Sequence, residues 1–557
     1  LKKFVSVILA ALMLISLFGC SSATSTQEES LNHDQAMEKL NAYISSNKVT
    51  SKVVAHKADT SWIGSEDAVN ELPDINKYPL SISGTGQINV EIFSSTEKSN
   101  NNATGWLDLQ AKAFNDQNNQ INGKSVSVSV RPIASGLAFD YIKSKAYVPD
   151  AYTPANEIWG SMIESTGVPI TKISDRMTGN VAGILMQKSA YDNYKKKYGA
   201  VTVENVVKAT LDGDIVLGHT DPNVSSTGLN IFLQELKSLD PSNPFSDNAI
   251  SALKQYESLI PAASPTTAEM AKVAQKGILN AVIMESQAFS SYPELSSWVF
   301  SPCGVRHDSP LYSLGSVAPE KGQVLQMFSE FCKSASAQKA ASSLGFNQYD
   351  DYKGISNQFT GNEVISALKL WKENKDGGNP VISVFIVDRS GSMDGSKLAR
   401  VKEALKNSMQ YVNDTNYIGL VSYSSENDVT IDLPIDKFTA KQQALFAGAI
   451  SDMEASGGTA TNNALTVALD MAIKQEKTVP NAKIRILILS DGEQNEGLSL
   501  YDVKGLVNGL EIPIYGVGFE ANLSDLKQLS DINEGYCIDA DSDDVVYKLK
   551  GLFTTQL

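Results

Sequence analysis

The spacing of apolar positions along the chain changes three times, and each change predicts a different kind of structure. After Lys2 and Lys3 an apolar run from Phe4 to Phe18 gives way to the polar stretch Ser21 to Thr26. The run is long enough for the core of an export signal and shorter than the ~20 residues with which a helix spans a bilayer. Residues 20–85 read as a tether with one helical stretch near Asp34 to Ile44. From about residue 86 strand-like alternation trades places with helical periodicity. Ile88–Phe93 and Val126–Val130 predict strands, while Trp106–Phe114 and Leu229–Leu239 predict helices. Glu373 to Pro380 mark a linker by their glycines and proline. Beyond it, Val381–Val387 and Ile484–Leu489 are almost continuously apolar, as strands buried on both faces of a parallel sheet must be. A helix at Asn462–Lys474, a strand at Ile512–Gly518 and a helix near Asp543–Leu552 complete this last unit. Such alternation predicts the α/β class, with a unit over 86–375 and another over 376–557.

Composition narrows the function. The 557 residues suggest roughly three to four units at ordinary domain size. Hydrophobic residues at 42% and charged residues at 20% suit folded domains rather than disorder. Acidic residues outnumber basic ones 63 to 47, and a net charge of −16 repels the phosphate backbone, which argues against a nucleic-acid partner. The four histidines show no metal-ligand spacing. Outside Cys20 only Cys303, Cys332 and Cys537 remain, so at most one bridge can form, with Cys303 and Cys332 the candidate pair. With no GxSxG elbow, phosphate-binding loop or paired nucleophilic cysteine, the chain reads as a binding protein rather than an enzyme.

The chemistry gathers where the last unit's strands end. Val381–Val387 runs into Asp388-Arg389-Ser390-Gly391-Ser392-Met393, Ser456-Gly457-Gly458-Thr459 precedes a helix, and Ile484–Leu489 stops at Ser490-Asp491-Gly492. Open α/β sheets place ligands at strand C-terminal ends, so Asp388, Ser390, Ser392, Thr459 and Asp491 can converge on one cation. An all-oxygen donor set suits Mg2+, with Mn2+ or Ca2+ as alternatives. The other reading of DxSxS alone is a strand-to-turn cap. The three motifs in this order resemble the metal-ion-dependent adhesion site of von Willebrand factor A domains. That resemblance implies a Rossmann-like doubly wound fold over about 380–557. It also implies hydroxyl ligation by Ser390, Ser392 and Thr459, with Asp388 and Asp491 holding metal-bound waters and a partner's carboxylate completing the shell. Asp539, Asp541, Asp543 and Asp544 do not make an EF-hand, since the loop glycine is absent and Lys550 stands at the terminal position. They read instead as caps for the last helix.

Leu17-Phe18-Gly19-Cys20 resembles the lipobox of bacterial lipoproteins, although Phe18 departs from the small residue usual there. The resemblance implies cleavage after residue 19, lipidation of Cys20 and a membrane anchor on the extracellular face; an uncleaved anchor or a plain secretory signal are the alternatives. Residues 86–360 resemble a two-lobed bacterial extracellular solute-binding protein, through the strand-to-polar-turn pairs Ile88–Thr96 and Asp150–Asn156 and the stretch from Tyr312 through Lys321-Gly322 to Leu344-Gly345-Phe346. By that resemblance Asn180–Met186 is a hinge strand. The cleft candidates for a small-molecule solute are Ser94, Ser95, Ser135, Gly136, Asn156, Ser226, Thr227 and Glu285. Ser226 and Thr227 serve equally as helix caps. The expected function is a lipid-anchored surface protein that binds an acidic group through Mg2+; the alternative is a transport receptor or sensor in which the last domain is an assembly module.

Overall fold

The computed structural model describes residues 31–52, 57–60, 72–261, 263–492, 494–520 and 522–557. The export signal and Cys20 lie outside the described residues. Three sheets organise the chain.

The first lobe is built on a six-stranded sheet in the order Gln120–Ile121, Lys124–Pro132, Ile88–Ser94, Ala151–Thr153, Leu311–Leu314, Ile170–Ser174. The second has five strands in the order Val299–Arg306, Val181–Met186, Ala281–Glu285, Leu217–Thr220, Ala263–Ser264. The chain therefore passes between lobes over 175–180 and returns over 307–310. The two crossings are tied together by Asn180 N–H donating to the His307 carbonyl at 3.1 Å and His307 N–H to the Asn180 carbonyl at 3.0 Å. Of the stretch Asn180–Met186, Asn180 lies in a crossing between the lobes, while Val181–Met186 is buried along its whole length in the second sheet. Cys303 and Cys332 are both free. They lie in different apolar layers, Cys303 with Ile184 and Phe232, Cys332 with Phe114 and Phe328, so no bridge joins them.

The terminal sheet has seven strands in the order Val49–Ser51, Val429–Lys437, Tyr417–Tyr423, Val381–Asp388, Lys483–Ser490, Ile514–Phe519, Cys537–Ala540. All neighbours run parallel except the pair Tyr417–Tyr423 and Val429–Lys437. The central strand explains its own apolar run. Phe385 and Val387 enter one core, Val384 and Ile386 the other, so successive side chains are buried on opposite faces.

Two stretches read as connectors are packed structure. The presumed tether holds the helix His33–Ser46, capped by Asn32 and Gln35, with Ala36 and Leu40 in the terminal domain's core. Gly509 permits that approach, because a Cβ there would lie 2.8 Å from the Leu31 carbonyl oxygen. Val49–Ser51 then extends the terminal sheet beside Val429–Ile431. The two-lobed unit is consequently inserted into the terminal domain. The presumed linker is likewise a seam, in which Lys375 and Asp376 are buried and Gly377 and Gly378 take positive φ. At the last helix, Val545–Gln556, no side chain caps the first turn. Asp541 and Asp544 instead clip the preceding turn, through Asp543 N–H to Asp541 Oδ1 at 2.9 Å and Asp541 N–H to Asp544 Oδ1 at 2.9 Å.

Candidate functional site

Asp388 is the last residue of the central strand, and the turn after it folds around its carboxylate. Ser390 N–H donates to Asp388 Oδ1 at 2.8 Å, and Ser490 Oγ donates to Asp388 Oδ2 at 2.5 Å from the neighbouring strand. The hydroxyls of Ser390 and Ser392 are 3.0 Å apart, and Ser392 Oγ donates to Asp491 Oδ1 at 2.7 Å. Gly391 N–H to the Gly457 carbonyl at 3.0 Å and Ser456 N–H to the Arg389 carbonyl at 2.7 Å dock the loop carrying Thr459 on this turn. Asn495 receives the Thr459 N–H at 2.9 Å. Three loops distant in sequence thus meet at one sheet edge.

Burial, followed by the nearby charge of Asp491, pushes the Asp388 carboxyl up against the hydrogen bonds that favour its ionised form. Asp491 is answered by Lys397, whose Nζ lies 2.6 Å from Asp491 Oδ2. Lys397 was not singled out in the sequence, nor were Ser490 and Asn495. Only the adjacency of Ser490 to Asp491 hinted at a role. The donor chemistry fits a hard cation: two buried carboxylates and a set of hydroxyls, with no nitrogen or sulfur ligand. Among the described residues no three His, Cys, Asp or Glu side chains form a metal-holding group, so a cation at this edge would depend on the serine and threonine oxygens.

The solute-cleft candidates gather near the lobe interface, bonded partly to one another and partly to other buried groups. Glu285 accepts from Thr227 Oγ1 at 2.9 Å and from Asn180 Nδ2 at 3.2 Å, and lies 2.7 Å from His307 Nδ1. Asn156 Nδ2 donates to the Ser226 carbonyl at 3.3 Å, while Ser226 Oγ receives Trp159 Nε1 at 2.8 Å. Ser95 meets the fully buried Lys98, which also contacts Glu97 at 3.0 Å. Ser94 Oγ turns back to the Ser95 carbonyl at 3.2 Å, and the Ser135 carbonyl serves Tyr152 at 3.1 Å. At Gly136 a Cβ would fall 2.3 Å from the Asn223 carbonyl oxygen, so glycine lets the lobes touch. Burial disfavours the Glu285 charge, but His307 and Thr227 outweigh it and hold the carboxyl below its ordinary range. Burial pushes the Lys98 ammonium down against Glu97 and Glu285. The open space lies beside this cluster. A cleft of about 500 Å3 is lined by Glu97, Asn100, Trp106, Gln287, Ser290 and Phe346, and none of the cleft candidates lines it.

Residues 384–551 match the von Willebrand factor type A domain. The chain is similar to inter-alpha-trypsin inhibitor heavy chain H3 of Bos taurus, 31% identical over 160 residues, covering 26% of this chain and 18% of that protein. It spans about a fifth of the length of the curated relatives it matches. Among solved structures it is similar to a von Willebrand factor type A protein from Catenulispora acidiphila, at 20% identity and a TM-score of 0.29, covering 32% of this chain and 42% of that one. It is also similar to a periplasmic thiamin binding protein, at 12% identity and a TM-score of 0.39, covering 53% of this chain and 98% of that one.

Proposed function

We propose, for a chain that carries a von Willebrand factor type A domain over residues 384–551 and ahead of it a region resembling extracellular solute-binding proteins, that it is a lipid-anchored surface binding protein docking a carboxylate-bearing partner. The observation that carries this reading is the hydrogen-bonded convergence of Asp388, Ser390, Ser392 and Asp491 beside the Thr459 loop. Ser390, Ser392 and Thr459 would hold Mg2+, with Asp388 and Asp491 orienting them. When bound, the ion supplies a position of net positive charge open to an external oxygen. The chain's own residues do the preparation. Ser490 and the Ser390 N–H fix the Asp388 carboxylate, and Lys397 must release Asp491 Oδ2 before it can accept from a metal-bound water. Anchoring in this reading rests on Cys20 and its preceding apolar run, whose resemblance to a lipobox supports a position at the outer face of a cell membrane.

Calorimetric titration of Mg2+ into the chain from residue 31 onward tests the site. The whole unit is needed, because residues 31–51 complete the terminal domain's core and sheet. Saturable heat that is absent from a protein-free titration and from Ser390→Ala plus Ser392→Ala supports the reading; native protein giving no heat, even with a carboxylate ligand supplied, overturns it.

A second reading is favoured by the interlobe cleft: a solute receptor or sensor in which the terminal domain is an assembly module. A cleft of this size suits a small molecule held by polar side chains. A solute that raises the unfolding temperature with the logarithm of its concentration above Kd supports it.

A further inference from the structure

The seam between the two-lobed unit and the terminal domain gathers more positive charge than it neutralises. The helix Gly361–Asn374 ends there, followed by Lys375 and Asp376, and the strand Lys483–Ser490 brings Lys483 and Arg485 from the other side. Asp376 receives all three cations: Lys375 Nζ at 2.9 Å, Arg485 Nη2 at 2.8 Å and Lys483 Nζ at 3.9 Å. Lys372, one turn earlier, donates to the Phe553 carbonyl at 3.0 Å. His219 and Glu257, each 1% exposed and 3.6 Å apart, form a separate pair across the same space. Three cations therefore face Asp376, with Glu257 the second carboxylate on the cavity.

That excess surrounds a hole. A cavity of about 20 Å3 lies in the seam, lined by Trp371, Lys375, Asp376, Lys483 and Arg485 together with the His219 pair. It has room for one guest of roughly water size. Buried on its wall without a partner are the donors Trp371 Nε1 and Arg485 Nη1, on side chains at least nine-tenths buried, together with both ring nitrogens of His219 and the acceptor Glu257 Oε1. Buried polar groups are nearly always paired, so this set of orphans on one small cavity points to a guest that hydrogen-bonds with them. Water accepts and donates alike, but the surplus of cations favours a guest that carries negative charge.

We propose that this cavity binds a single monovalent anion of chloride size, held by the Trp371 and Arg485 N–H groups and the charges of Lys375 and Lys483, and that the anion clamps the two units together. The side chains carry the mark of the missing charge. Burial, opposed by Asp376 and reinforced by Arg485, pushes the Lys375 ammonium down to about 8, and burial pushes Lys372 and Lys483 down as well. An anion in the cavity relieves all three.

The test uses the full chain in chloride, bromide or gluconate at one ionic strength, gluconate being too large to enter. The expected result is an unfolding temperature that rises with the logarithm of either halide's concentration above its Kd and not with gluconate. A crystal grown in bromide should show its anomalous peak between Trp371 and Arg485. Trp371→Phe keeps the six-membered ring and removes the donor with its five-membered ring, and should raise about tenfold the halide concentration at which the unfolding temperature begins to climb, in line with a hydrogen bond to a charged group. Identical halide and gluconate curves, a cavity filled by water only in the bromide crystal, or an unchanged onset concentration in Trp371→Phe would each overturn the site. Should that variant fail to fold, the bromide crystal of the native chain decides by itself.

Discussion

The metal-type edge and the lobe interface are both clusters of buried polar groups, yet they are assembled in opposite ways. At the edge, Asp388, Ser390 and Ser392 occupy one turn, and only the Thr459 and Asp491 loops come from elsewhere. At the interface, Asn156, Thr227, Glu285 and His307 come from separate elements in two lobes. The edge also leaves two buried carboxylates facing each other with a single lysine, whereas the interface pairs its carboxylate with a histidine and a hydroxyl. A cluster short of positive charge is poised for a cation; a cluster already satisfied holds two lobes together.

The sharpest way to break this contrast is to remove Asp388. Asp388→Ala should weaken Mg2+ binding by about a hundredfold, the upper end of what outer-sphere partners of a metal contribute. The same change should leave lobe stability untouched. Equal Mg2+ heats for native and variant would erase the distinction.

His307→Ala attacks the other cluster and should cost about 3–5 kcal/mol in denaturant unfolding, because the Glu285 carboxylate is left buried without the ring 2.7 Å from it. The effect is pH-dependent with a definite sign. The Glu285 carboxyl is held below its ordinary 4.5 in the folded protein, so its contribution is fully present above that pH and is lost as pH falls through the lower folded value. Glu285→Gln should flatten this acid limb, and an unchanged acid limb would remove Glu285 from the network.

Gly136→Ala sharpens the lobe contact itself. A methyl group 2.3 Å from the Asn223 carbonyl must push the lobes apart, at a cost of about 1–3 kcal/mol and with an increased radius of gyration in X-ray scattering. The smallest effect is expected at the edge. Lys397→Met removes the cation that competes for Asp491 and should tighten Mg2+ roughly fivefold, since a partly exposed ion pair contributes up to about 1 kcal/mol. Weaker Mg2+ binding in that variant would mean the lysine helps hold the site instead.

The two clusters were not equally legible. The apolar run Val381–Val387 and its DxSxS ending carry their meaning locally, because a strand buried on both faces must be apolar throughout and must end where polar side chains begin. Ser94, Asn156, Thr227 and Glu285 were recognisable as strand-end and helix-start residues, but not that they would be tied up in buried hydrogen bonds instead of lining open space. His307 had no signal at all, since one histidine in a polar stretch says nothing of the carboxylate it meets from another strand.

The sequence by itself determined the α/β class, the parallel core of the terminal sheet and the order of its oxygen-bearing turns, because strand burial and turn chemistry are written in neighbouring residues. Only the tertiary structure decided that the helix His33–Ser46 packs into the terminal core, that Lys375 and Asp376 lie in a buried seam, and that Cys303 and Cys332 stay apart. Each of these depends on which surface a segment meets after the chain has travelled far along itself. A helix with Ala36 and Leu40 as its buried residues, or a glycine-rich stretch with a lysine and an aspartate, has the composition of a connector until a distant strand supplies the partner that buries it.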